Sequence, residues 1–359
     1  MRELFLLDPD VTYLNHGSFG ACPRPVFERY QAWQRELERE PVRFILHRLP
    51  ELLAAAREEL GEFVGAPADD LTFVPNATVG VNLAARALAL QPGEEVLATT
   101  LEYGACDLVW QVACERAAAR YVRAEVEQLF DHVTERTRAL FVSHVTSETA
   151  QLLPVEQIVA RGRAEGLTTI VDGAHPVAQV DLDLVALNAD FFAGTCHKWL
   201  CAPKGAGFLY VRPEWQERVD GAVVSWGYEE PATFLSRTER QGTRDPAAYL
   251  AVPDAIAFFR EHDDRERCVA LARSAARELS ALLETEPLGP EEQILQMASV
   301  LLPRADPTLS QRLFDEHRIE IPTMGDDDLL RISVAMYTTR EDVDRLLEAL
   351  PSALLAVKA

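Results

Sequence analysis

Three lysines stand among 35 basic side chains, Lys198, Lys204 and Lys358; the other 32 are arginine. A coding bias toward arginine explains the ratio, and it makes any lysine kept against that bias informative. Arginine cannot lose its proton to become a nucleophilic amine, whereas lysine can. Lys198 lies in the run Asp190-Phe191-Phe192-Ala193-Gly194-Thr195-Cys196-His197-Lys198-Trp199, an apolar strand that ends in small residues. A lone lysine is ordinarily a solvated surface residue, but this one sits between that strand and Trp199, Leu200 and Cys201. Burial lowers a lysine pKa from about 10.4, because desolvation disfavours the ammonium. The neutral amine that results is what Schiff-base chemistry requires.

A carboxylate and a hydroxyl accompany it. Asp172 follows the apolar run Thr168-Thr169-Ile170-Val171 and precedes Gly173-Ala174-His175. That is the C-terminal end of a buried strand, where open α/β sheets place their ligands. Asp172 reads either as a turn or helix cap, or as the partner of a protonated pyridine nitrogen. It stands 26 residues before Lys198 with one strand between them, so both reach one crevice. Thr78 lies in Leu71-Thr72-Phe73-Val74-Pro75-Asn76-Ala77-Thr78-Val79-Gly80, which reads as strand, turn and helix start. Free N–H groups and a hydroxyl there make a phosphate cradle; an ordinary Asn/Thr cap is the plainer reading.

The elements that must position these groups alternate along the chain. Strands are expected at Leu71–Val74, Glu95–Thr99, Arg120–Ala124, Ala139–His144, Thr168–Val171, Asp190–Ala193 and Gly207–Val211. Amphipathic helices are expected between several of them, at Val79–Leu90, Ala105–Ala119 and Val155–Glu165. Such alternation implies right-handed βαβ units and a mainly parallel sheet. Two helices precede it, near Val26–Glu40 and Glu51–Val64. Pro246–Phe259 reads as one continuous helix. Beyond it come helix Arg265–Glu284, strand Leu295–Leu302, helix Thr308–His317, strand Leu329–Val334 and helix Arg340–Leu350, a smaller α+β unit. The expected division is an N-terminal segment at 1–20 packing with the small domain, a large domain at 21–255 and a small one at 256–359.

Several function classes recede. The net charge of −22 argues against nucleic-acid or anionic-membrane surfaces, which call for basic patches. No apolar run is long enough for a bilayer span or a signal peptide, so a cytoplasmic protein is expected. Six cysteines form no CxxC and no zinc-finger spacing, which points to free thiols and no metal. Walker A, GxSxG and HExxH patterns are missing, and Gly205-Ala206-Gly207 precedes a strand rather than following one.

Taken in order, the motifs resemble those of a fold-type-I pyridoxal 5′-phosphate enzyme of aminotransferase class V, most like its isopenicillin-N epimerase group. They are Tyr13-Leu14-Asn15-His16-Gly17-Ser18-Phe19-Gly20, Asn76-Ala77-Thr78, Glu102-Tyr103-Gly104-Ala105, Asp172-Gly173-Ala174-His175, Thr195-Cys196-His197-Lys198, Pro203-Lys204-Gly205-Ala206-Gly207, Ser225-Trp226-Gly227, Gly242-Thr243-Arg244 and Leu330-Arg331-Ile332-Ser333. The resemblance implies an α/β fold with a seven-stranded, mainly parallel sheet. It implies that Lys198 holds the cofactor and shuttles the Cα proton, and that Asp172 keeps the pyridine nitrogen protonated. Tyr103 takes the place of a ring-stacking histidine, and His175 lies near the phenolic oxygen. Ala77, Thr78, Thr195 and His197 hold the phosphate, and Thr243 reaches the phosphate of a partner subunit, so a homodimer is implied. Arg331 grips a substrate carboxylate; Asn15 and, more weakly, Arg43 are substrate-side candidates, a solvated residue being the plainer reading of Arg43. Thr146 takes a place often held by asparagine near the cofactor hydroxyl, and Ala150 one often held by glycine.

Cysteine desulfurases of this class carry a mobile cysteine shortly before the carboxylate-binding arginine. Here the last cysteine, Cys268, lies 63 residues before Arg331, which argues against that chemistry. The expected activity is epimerisation at Cα of an amino acid or peptide-like amine, with transamination or C–S lysis as the alternatives that share its first steps. A catalytically silent binding protein of the same fold would be expected to lose the lysine or the aspartate, and both are present.

Overall fold

A computed structural model of the chain describes residues 1–355; Lys358 lies outside them. In chain order the strands are β1 (Thr12–Tyr13), β2 (Leu71–Val74), β3 (Glu95–Thr99), β4 (Arg120–Ala124), β5 (Thr137–Ser143), β6 (Thr168–Gly173), β7 (Phe191–Thr195), β8 (Gly207–Val211), β9 (Met297–Leu301), β10 (Ile319–Glu320), β11 (Thr323–Met324) and β12 (Leu329–Ser333). Strands β2 to β8 form one seven-stranded sheet in the order β2-β8-β7-β6-β5-β3-β4. Only β8 runs against the rest, pairing antiparallel with β2 and β7; the other pairs are parallel. The apolar runs of the sequence become strands buried on both faces, as a helix-covered sheet demands, while β4 at the sheet edge stays partly exposed.

Side-chain size sets how closely the layers approach. Phe192 lies over Gly173, and Phe208 lies over Gly194; a Cβ at either glycine would fall within 2.3 Å of a ring carbon. The helix Ala77–Ala87 rests on the other face, with Gly80 against Ala193. Asn76 caps it by accepting from Val79 N at 3.0 Å.

The expected helix at Pro246–Phe259 is two helices, Ala247–Leu250 and Val252–His262, broken at Ala251. Pro253 is the cause: its ring clashes with the carbonyl four residues back, so it is accommodated only in a first turn. The expected domain boundary at 255 falls inside the second helix, whose Phe259 ring meets Phe63 at 5.6 Å. Beyond it, β9, β11 and β12 form an antiparallel sheet ordered β11-β12-β9. Helices Arg265–Leu283 and Arg340–Leu355 cover that unit. The last helix outruns its expected end at Leu350, because Val343, Leu346, Leu350 and Ala353 keep one buried stripe in register. At the other end of the chain, β1 pairs in parallel with β10, which ties the N-terminal segment to this smaller unit. Among the described residues no helix is long and apolar enough to cross a membrane, and all six cysteines are free.

One buried carboxylate fixes the sheet where β3 and β5 end. Glu102 accepts from Thr99 Oγ1 at 2.5 Å, from Ser143 N at 3.2 Å and from Ser143 Oγ at 2.6 Å. Burial pushes its carboxyl from the usual 4.5 up to about 7. Between those values the folded chain holds a proton that the unfolded chain has lost, so this group's contribution falls as pH rises through that window. Glu102→Gln keeps the acceptor for Thr99 and Ser143 N–H and removes the ionisation. Urea denaturation should find the variant level with wild type at pH 4.5 and more stable at pH 8, by on the order of 3 kcal/mol. Equal stabilities at pH 8 would show that Glu102 ionises as freely in the fold as outside it.

Candidate active site

The chemistry gathers where the parallel strands end. Ser143 closes β5 and pairs with Asp172 near the end of β6, while Lys198 lies three residues past β7. These termini, the start of helix Ala77–Ala87 and Arg331 on β12 enclose a cleft of about 320 Å³. That is the size of a small-ligand site. Ala77, Thr78, Thr195 and His197 line one part of it, and Tyr103, Asp172, His175, Lys198 and Arg331 line the rest.

Two of these groups are buried charges that form no salt bridge within 4.0 Å among the described residues, Lys198 acting on one and Glu148 on the other from further off. Asp172 is 4% exposed; Oδ1 accepts from Ala174 N at 2.8 Å and Oδ2 from the Cys106 thiol at 3.4 Å. Among the described residues it forms no salt bridge within 4.0 Å, and burial raises its pKa against the Ala174 N–H and the Lys198 charge. Arg331 is 1% exposed. Its Nη1 donates to the Ser147 carbonyl and hydroxyl, Nη2 donates to Ser18 Oγ at 2.8 Å, and Nε–H has no partner. Burial pulls this guanidinium down to about 10. A buried ion left unpaired is costly, and both are best satisfied by opposite charges brought in from outside.

Between them lies the amine. Burial pulls Lys198 down to about 8, with Asp172 opposing and Arg331 reinforcing the shift. Lys198 Nζ is 3.2 Å from His175 Nε2, and His175 Nδ1 accepts from the Trp199 indole N–H at 3.3 Å. His175 is neutral: burial first, then Lys198 and Arg331, push its pKa well below the usual value.

The other end of the cleft suits a phosphate. Ala77 and Thr78 open a helix whose Asn76 cap occupies Val79 N and leaves the two earlier N–H groups free of it. His197 Nδ1 donates to the Ala206 carbonyl at 2.9 Å, so Nε2 is its other functional atom. Burial pulls its pKa down to about 4. It becomes a donor to a dianion by taking up a proton there.

Three expected site residues lie elsewhere. Thr146 is fully buried and spends its hydroxyl on Thr149 and Gln151, closing the turn 146–151, so it does not face the cleft. Asn15 donates to Glu320 at 3.2 Å and accepts from Ser18 Oγ at 2.6 Å; it acts on the cleft only through Ser18. Arg43 is exposed and its nearest carboxylate is Glu40 at 3.9 Å. Thr243, expected at a partner's phosphate, is exposed and lies outside this cleft of its own chain, as that expectation requires. Ser18, Ser147, Cys106 and Trp199 were missed as functional side chains. Ser18 and Trp199 stand inside the quoted motifs, but their partners lie 313 and 24 residues away, which no local pattern displays.

A flat cofactor with a ring N–H for Asp172, a carbonyl for Lys198 and a phosphate for the helix start matches this donor set; pyridoxal 5′-phosphate has all three. The family model of aminotransferase class-V matches residues 13–346. Isopenicillin N epimerases of Streptomyces clavuligerus and Amycolatopsis lactamdurans are 35% and 38% identical, each over 97% of this chain and 96% of the relative. The cystine C–S lyase C-DES, solved with its product cysteine persulfide, shares the fold with a TM-score of 0.84 at 24% identity, over 95% of this chain and 97% of that one. On the extent of these matches, the chain belongs to the aminotransferase class-V family of pyridoxal-phosphate-dependent enzymes.

Proposed function

We propose that the chain inverts the configuration at Cα of an amino acid or a peptide-like amine that carries a carboxylate. The observation that supports it best is the juxtaposition of Lys198, unpaired Asp172 and unpaired Arg331 in one cleft. Bound pyridoxal phosphate supplies the electron sink that makes a Cα proton acidic. Everything else falls to the chain. Asp172 holds the proton on the ring nitrogen, and Cys106 and Ala174 N keep its carboxylate in place. Tyr103, 42% exposed at the cleft, would hold the cofactor's ring by stacking. The Arg331 guanidinium, which lines the cleft and is held by Ser18 and Ser147, binds the substrate carboxylate. Lys198 Nζ moves the proton at Cα. Inversion also needs a donor on the opposite face, for which Tyr103 Oη or a water is available.

The two epimerase relatives support inversion over transamination, and no cysteine lines the cleft for sulfur abstraction. Incubation in D₂O with a panel of L- and D-amino acids tests the reading by NMR. Expected are solvent deuterium at Cα and appearance of the opposite enantiomer. Keto acid with pyridoxamine phosphate and no inverted product would make it a transaminase; sulfide or persulfide release would make it a C–S lyase.

We further propose a homodimer in which Thr243 completes the partner's phosphate site. Thr243 follows an exposed apolar stretch, with Val223, Val224 and Trp226 at 54%, 76% and 68% exposure, which a second copy would cover. Sedimentation should give a dimer at micromolar concentration. A monomer with full cofactor content and turnover would remove Thr243 from the site.

A further inference from the structure

We propose that Trp199 is a positioning residue that selects the tautomer of His175, so that an N–H rather than a lone pair faces Lys198 Nζ. An indole nitrogen can only donate. It lies 3.3 Å from His175 Nδ1, which must therefore accept. A neutral imidazole carries one proton, and here that proton is on Nε2. Nε2 lies 3.2 Å from Lys198 Nζ. An N–H aimed at an amine is satisfied only by a lone pair, which the ammonium lacks. The opposite tautomer would present an acceptor at the same place and favour the charged lysine.

The ring is held for this task. His175 and Trp199 are 2% and 3% exposed, and Gln179 donates to the His175 carbonyl at 2.7 Å. Trp199 packs against His16 at 5.0 Å between ring centres, and His16 Nε2 donates to the Lys198 carbonyl at 3.0 Å. The ionisable groups around Lys198 are Asp172, Arg331, Cys106 and His175; those around His175 are Lys198 and Arg331. Asp172 favours the ammonium, so the neutral amine depends on burial, Arg331 and the His175 N–H acting together. The inference rests on the reading of Lys198 as the reacting amine for its consequence, and on the hydrogen bonds alone for its geometry.

The test is competitive trace acetylation of the full-length chain stripped of cofactor, followed across pH by mass spectrometry with Lys204 as internal reference. Trp199→Phe keeps an aromatic volume and deletes the donor. The Lys198 titration should move up by about one unit while that of Lys204 stays in place. Superimposable Lys198 titrations, in a variant whose circular dichroism matches wild type, would overturn the inference. Nitrogen NMR of the wild-type chain, with His175 assigned through His175→Gln, tests it without the Trp199 variant. A protonated Nε2 and a bare Nδ1 are expected; a protonated Nδ1 would overturn it. Cofactor found fixed to another lysine would defeat the proposed function and leave both readouts standing. Unchanged titration with cofactor on Lys198 would defeat this inference alone.

Discussion

Two buried charges that form no salt bridge among the described residues define this molecule. Asp172 extends from the end of β6 and Arg331 from β12, and neither forms a salt bridge within 4.0 Å among the described residues. Each costs several kcal/mol of desolvation, which folding must offset elsewhere. The offset comes from an apolar interior in which Phe192 and Phe208 stack across glycines, and from a second cluster beneath β9 and β12. A ligand that brings a ring N–H to one charge and a carboxylate to the other recovers part of that cost. The site is thus preorganised, its binding energy held in place before anything binds.

The two units that carry these charges meet through the N-terminal segment. His16 accepts from the Tyr337 hydroxyl through Nδ1 and donates to the Lys198 carbonyl through Nε2. Ser18, two residues on, receives Arg331. Gly20 then passes so close to the His197 carbonyl that a Cβ would lie 2.0 Å from it, and its φ of +69° suits glycine. One short stretch of chain therefore sets the backbone of Lys198, the guanidinium of Arg331 and the spacing between them. This explains why the segment carries so many motif residues although it contributes little secondary structure.

Much of this was legible in the sequence, and the limits have physical causes. Strand positions follow from apolar runs that a two-sided sheet requires. Lys198 stands out because lysine is rare here, and Asp172 because it ends a buried run. Thr146 and Asn15 are placed by motif position alone. A motif fixes where a residue lies along the chain and not where its side chain points; Thr146 closes a turn, and Asn15 holds Glu320 and Ser18. Trp199 and Ser147 escape a sequence reading because their partners lie just past β6 and on β12. The run Pro246–Phe259 looked continuous by composition, and a single proline ring divided it.

The chemistry of the cleft depends on which amine carries the cofactor. Borohydride reduction of the holo chain, followed by proteolysis and mass mapping, decides it. The account predicts that the reduced cofactor is recovered on the peptide containing Lys198, and that Lys198→Ala leaves nothing to fix. Recovery on Lys204 or Lys358 would contradict it.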